Sequence, residues 1–212
     1  MQANNAATAK APSQAKRLPI SKTAAATTDD RDFNYPGVFC AFWAIKADSL
    51  IRAFDILVEA ATQDLQGPFD KPEISAVPHM MAGLALENIF KGVFIMNGGK
   101  AVENGEFKHS GHNLRWLSEK AGVTLSPEEH ILFERLQEFV EWGSKYPLPR
   151  HAEKLRARDF PDGSKCRLTD GFIFKDYKEM REALTKFRQL LPPVVHNAPD
   201  PTVPLTPRQH AP

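Results

Sequence analysis

The chain has 212 residues, enough for one domain with a proper core plus tails. Its 42% hydrophobic and 25% charged residues are ordinary globular values, and a formal net charge of +1 gives no global field for drawing in nucleic acid or a membrane surface, so such a partner would need a local patch. Cys40 and Cys166 lie far apart with no Cys-x-x-Cys, which argues against a disulfide framework or a cysteine zinc site and suits a cytoplasmic setting.

Residues 1–34 are rich in Ala, Thr, Asn and Ser and show no hydrophobic period. Lys10, Lys16, Arg17 and Lys22 all precede the first acid, Asp29, and there is no apolar stretch of the kind a secretory signal carries. A disordered tail is expected there. Tyr35-Pro36-Gly37 is a turn signal that opens a folded domain expected over 35–191. From Val38 to Gln63 the apolar residues Phe39, Phe42, Trp43, Leu50, Phe54, Leu57, Val58 and Ala61 recur at three-or-four spacing, which predicts an amphipathic helix of about seven turns. Gly67-Pro68 and Lys71-Pro72 break the chain.

The next helix is expected from near Pro78 to Asn97-Gly98-Gly99, whose Asn and Gly tolerate a left-handed C-cap. It is the most apolar long segment of the chain. A helix apolar nearly all round is normally the buried centre of a bundle. Its polar residues Glu87, Asn88 and Lys91 therefore stand out, with Glu87 and Lys91 spaced i,i+4 so that they share a face and can pair. No apolar run reaches the ~18 residues of a transmembrane helix without polar breaks.

Lys100–Gly111 is expected to be a polar loop and Asn113–Ala121 a short helix stopped by Gly122. Ser126-Pro127-Glu128-Glu129 predicts a helix start, with Ser126 as N-cap, Pro127 at N1 and Glu129 closing a capping box. That helix is expected to end at Gly143, ahead of Tyr146-Pro147-Leu148-Pro149, where two prolines forbid continuation. Arg150–Arg158 reads as a turn or short helix. Asp170-Gly171, between Cys166–Thr169 and Phe172–Phe174, predicts a small hairpin. Lys175–Leu191 returns to helical spacing, Pro192-Pro193 stops it, and 192–212 reads as a Pro-rich disordered tail. The expected fold is mainly all-α: an antiparallel up-down bundle of four or five helices with a small β-hairpin.

Standard nucleotide-loop, zinc-helix and esterase motifs are absent, and His109-x-x-His112 sits in a loop without the converging ligands a metal needs, so neither metal nor cofactor is expected. Two groups of residues remain as candidates. One is the central-helix trio Glu87, Asn88 and Lys91, with His112 nearby in sequence order. The other is Trp142–His151, where Lys145, Arg150 and His151 follow a helix end and Trp142 and Tyr146 could stack a base.

Leu84–Gly99, Gly111–Glu129 and Phe139–Pro149, taken in that order, resemble the HEPN superfamily. The likeness lies in Ala85-x-Glu87-x-x-x-Lys91-Gly92, in His112-Asn113-Leu114, and in the Trp142 to Lys145-Tyr146-Pro147-x-Pro149 end. It implies a helical bundle, often dimeric, whose relatives are frequently metal-independent endoribonucleases of defence or toxin–antitoxin systems that use Arg followed by His four to six residues on. No histidine of this chain has such an Arg; the nearest approach is Lys145 before His151. Lys lacks the planar fork that grips phosphate in two places. The expected function is a non-catalytic binding protein for RNA, a nucleotide or a protein partner, acting as a homodimer. The alternatives are a ribonuclease with His151, Lys145 and Arg150 as variant catalytic residues, and an oligomeric scaffold without a small ligand.

Overall fold

The computed structural model describes residues 37–64, 76–103, 106–108, 111–146, 148–159, 163, 165–167 and 174–194. Its helices are α1 (Cys40–Asp64), α2 (Ala76–Met96), α3 (Leu114–Lys120), α4 (Pro127–Glu138) and α5 (Phe174–Arg188). The expected all-α bundle is the observed fold. The tails at 1–34 and beyond Val194 lie outside the described residues, as does Asp170-Gly171.

Helix directions follow from which residues meet. Trp43, early in α1, packs against Gly92, late in α2. Gly83 of α2 faces Leu136 and Val140, while Phe90, two turns on, packs on Phe133. Arg188 bonds Asp48 and Arg181 bonds Asp55, so α5 runs against α1. The four long helices thus alternate up and down. The hub is α2: Ala82, Ala85, Leu86, Ile89 and Phe90 are wholly buried, as its lack of a polar face predicts. Phe90, Phe133 and Phe187 form a triangle of tilted and edge-on rings 5.3–5.6 Å apart at the centre of the core.

Local chemistry sets the helix ends. The Ser126 hydroxyl accepts from the Glu129 N–H, and the Glu129 carboxylate accepts from the Ser126 N–H at 2.8 Å, completing the capping box. Asn113 caps α3 by accepting from the Trp116 N–H. After Glu138 the α4 helix widens into a π-turn, Phe139–Gly143, in which Ser144 N–H reaches Phe139 C=O. Such turns re-aim the side chains they carry and recur at functional sites.

Two short antiparallel ladders differ from expectation. Val102–Glu103 (β1) pairs with Glu106–Phe107 (β2) inside the stretch expected to be a polar loop. Arg158–Asp159 (β3) pairs with Lys165–Cys166 (β4). This ladder lies upstream of the hairpin expected around Asp170-Gly171, which falls outside the described residues. Gly163, at φ 80°, supplies the left-handed residue between its strands, and Phe174 belongs to α5 and not to a strand.

Candidate functional site

Glu87 and Lys91 sit one turn apart on the buried side of α2, 6% and 4% exposed. Lys91 Nζ donates to Glu87 Oε1 at 2.5 Å. The other carboxylate oxygen, Oε2, lies 2.7 Å from His112 Nδ1. Because a carboxylate only accepts, Nδ1 carries the proton of that bond. Two rings enclose the ammonium: the Phe107 centroid is 5.0 Å from Nζ and the Trp43 centroid 5.7 Å, and the rings stack on each other at 5.8 Å. The β1–β2 ladder is what carries Phe107 there. Three elements distant in sequence thus converge on one ion pair. Asn88 faces away from this cluster in hydrogen-bond terms, its amide donating to the Leu84 carbonyl of its own helix.

His112 is the accessible member, its side chain 39% exposed. It adjoins a second polar cluster on the π-turn. Glu141 accepts from Lys154 at 3.0 Å and from Gln137 at 2.8 Å. Burial works to raise the Glu141 pKa, but these bonds, the Lys154 charge and a weaker pull from His112 outweigh it and hold it below the usual value. Lys154 also bonds Glu138 at 2.8 Å. Burial works to lower the Lys154 pKa, and its two carboxylate partners overcome that and raise it. Glu138 in turn accepts from Trp142 Nε1 at 2.6 Å. Trp142 is buried, so its ring faces core and Glu138 and offers no stacking surface.

The remaining candidates lie outside both clusters. Lys145, Tyr146, Arg150 and His151 are all exposed on the irregular segment after the π-turn. Among the described residues, the side chains of Lys145, Arg150 and His151 have no hydrogen-bond or ion-pair partner. The structure therefore unites Glu87, Lys91 and His112, places Trp142 in the adjoining cluster, and leaves Lys145, Tyr146, Arg150 and His151 on an open surface.

A third cluster has no signal in the sequence. His79, buried on α2, packs at a tilt against Phe139 with centroids 4.5 Å apart and lies 3.9 Å from Asp176. Asp176 takes both terminal nitrogens of Arg135, at 3.0 and 2.9 Å. Burial works to raise the Asp176 pKa, yet His79 and the Arg135 fork hold it low; at 3.9 Å His79 is beyond hydrogen-bond length, so Arg135 makes the direct contact.

No family model, no curated protein and no solved structure matches the chain. The likeness to HEPN proteins thus rests on its three short segments. Among the described residues no three His, Cys, Asp or Glu side chains converge as a metal site, and no helix is long and apolar enough to cross a membrane. Chemically, the Glu87–Lys91–His112 cluster is closed: each carboxylate oxygen is engaged and the ammonium is caged. It can fix helix positions and orient His112, but it presents no free charge to a ligand.

Proposed function

We propose that the chain is a non-catalytic, HEPN-like helical binding protein of the cytoplasm that works as a homodimer. One observation carries this reading: α1 turns an apolar stripe to solvent. Phe42, Ile45 and Ile56 are 42%, 39% and 58% exposed, and together with Ser49 and Arg52 they repeat at the three-then-four spacing of a helix–helix seam. Large exposed side chains in one line mark an interaction face more often than scattered ones do. The closed Glu87–Lys91 pair leaves no polar cleft on α2 for a small ligand, which favours a protein partner, as in the oligomeric-scaffold alternative, over ligand binding at that pair. Sedimentation velocity on the full chain tests it. The wild type should run as a dimer and the double variant Phe42→Glu, Ile45→Glu as a folded monomer; a wild type that is monomeric at tens of micromolar would sink the proposal.

A second reading, RNA or nucleotide binding, is favoured by a different observation. Lys154 and Arg158 tie the segment after the π-turn to Glu138, Glu141 and Glu134, while Lys145, Tyr146, Arg150, His151 and Arg156 of the same segment stay exposed. Exposed cations next to an aromatic suit a single strand. Its sign is salt-sensitive binding of a single-stranded RNA oligomer that weakens in the Lys145→Ala, Arg150→Ala variant. A variant ribonuclease would need His151 held against a 2′-hydroxyl, and no described residue orients it. RNA cleavage that survives EDTA and disappears in His151→Ala would reverse the non-catalytic assignment.

A further inference from the structure

The apolar stripe of α1 is uneven along its length. Its first half carries the large side chains of Phe42 and Ile45, 42% and 39% exposed. Its second half adjoins a recess of about 570 Å3 against α5, whose lining includes Arg52, Asp55, Ile56, Glu59, Gln63 and Arg181. On the α5 side the charges of this recess are matched, since Arg181 makes two bonds to Asp55, at 3.0 and 2.8 Å. On the α1 side Arg52 is exposed and makes no ion pair with a described residue. One helix thus presents apolar bulk at one end and a recess at the other.

A closed dimer has a two-fold axis, so that residue i meets residue j and j meets i. Two copies of α1 can satisfy this in two ways. In a parallel pair each stripe residue meets its own copy. Bulk then falls on bulk, recess on recess, and Arg52 on the partner's Arg52, which sets like charges together in the seam. In an antiparallel pair the stripe meets itself in reverse order. Laying Ile45 on the partner's Ile56 puts Ser49 on the partner's Arg52 and carries Phe42 to the partner's Glu59, at the recess. The like-charge contact disappears. The Ser49 hydroxyl donates to the Ile45 carbonyl at 3.0 Å, so its oxygen is left to accept from the guanidinium. A slip of one heptad would set Ile45 on the partner's Ser49, or Ile56 on the partner's Arg52, and lose the apolar layer.

We infer that α1 pairs antiparallel with α1 of a second copy of this chain, Ile45 of each protomer lying on the partner's Ile56 and Phe42 seated at the partner's recess. This rests on the homodimer proposed above and adds its orientation and register.

Disulfide cross-linking of the full chain tests it. Cys40→Ala and Cys166→Ala remove the native thiols, and Ile45→Cys and Ile56→Cys are then made separately. Both positions are exposed, so neither change touches the core. Each variant is oxidised alone and in an equimolar mixture, and the products are read on a non-reducing gel. In the antiparallel register the two copies of position 45 lie about 16 Å apart along the seam, as do the two copies of position 56. A disulfide spans at most ~7 Å between Cα atoms. Neither variant alone should therefore cross-link, and the mixture should give a dimer band. A dimer band from either variant alone would mean the parallel arrangement and overturn the inference. So would a mixture that does not cross-link while the wild type sediments as a dimer, a result that leaves the homodimer itself standing. A wild type that sediments as a monomer removes both.

Discussion

Removing either member of the Glu87–Lys91 pair should be among the most damaging single changes to the fold, and removing both should be far less than twice as bad. Both side chains are more than nine-tenths buried. Stripping one partner from such a pair leaves an uncompensated charge at about 3–5 kcal/mol. Here the penalty is partly relieved in each direction. After Glu87→Gln the ammonium keeps the Trp43 and Phe107 faces, which return about 1–2 kcal/mol. After Lys91→Met the carboxylate keeps the His112 bond. We expect each single variant to lose about 2–4 kcal/mol, a large share of the 5–15 kcal/mol that holds a typical domain. In the double variant Glu87→Gln, Lys91→Met no charge is left buried, so it should lose about as much as one single, giving a coupling energy of about 2–4 kcal/mol. Urea unfolding followed by far-UV circular dichroism measures all four proteins, provided the slope with denaturant is shared. Single variants that cost under ~1 kcal/mol, or a double that equals their sum, would show that the pair does not hold the helix.

The Asp176 carboxyl binds its proton less readily in the folded chain than in the unfolded one, so its contribution is full above the ordinary carboxylate value of 3.8 and is lost as pH falls through the lower folded value. Acid melting curves of the wild type should therefore fall more steeply below about pH 4 than those of Asp176→Asn, and parallel curves would refute the assignment. A methyl group at Gly83 would sit 2.6 Å from Val140 Cγ2 and 3.2 Å from the Leu136 carbonyl. Gly83→Ala should cost about 1–3 kcal/mol by forcing α2 off the π-turn, with much of it recovered when Val140→Ala is added; no recovery would place the strain elsewhere.

The features legible in the sequence are local or periodic. The capping box at Ser126–Glu129 needs four consecutive residues, and the Glu87–Lys91 pair needs the helical repeat, so both can be read from the amino acids alone. Burial of the pair follows from an α2 apolar on every face. The contacts that complete it leave no such trace. His112 reaches Glu87 across 25 positions, and Phe107 reaches Lys91 through a ladder of two residues per strand, too short for alternation to register. The β3–β4 hairpin leaves no comparable trace, since Gly163 between its strands is a weaker local turn signal than Asp170-Gly171, which lies outside the described residues. Trp142 fails as a stacking platform for a different reason: its indole is buried and donates to Glu138 one turn back, and burial of that face depends on tertiary packing that the i,i+4 spacing alone does not reveal.

The carboxylates at the end of α4 also decide which cations of the following segment are engaged and which stay exposed. Glu134, Glu138 and Glu141 lie along the end of α4 and its continuation, and Glu138 is nearly buried, so it requires a cation. Lys154 and Arg158 meet that requirement and draw the chain after the prolines back onto α4. Those two are engaged, while Lys145, Arg150 and His151 make no ion pair with a described acid and are exposed, as is Tyr146. The α2 cluster works the opposite way, closing Glu87 and Lys91 on each other so that His112 alone reaches the surface. Both clusters are built from buried carboxylates, and in both the carboxylate decides which cation is structural. Sequence motifs name the cations; burial of the acids sorts them. That sorting assigns Lys91 and Lys154 to the fold and separates them from Lys145, Arg150 and His151, which stay exposed.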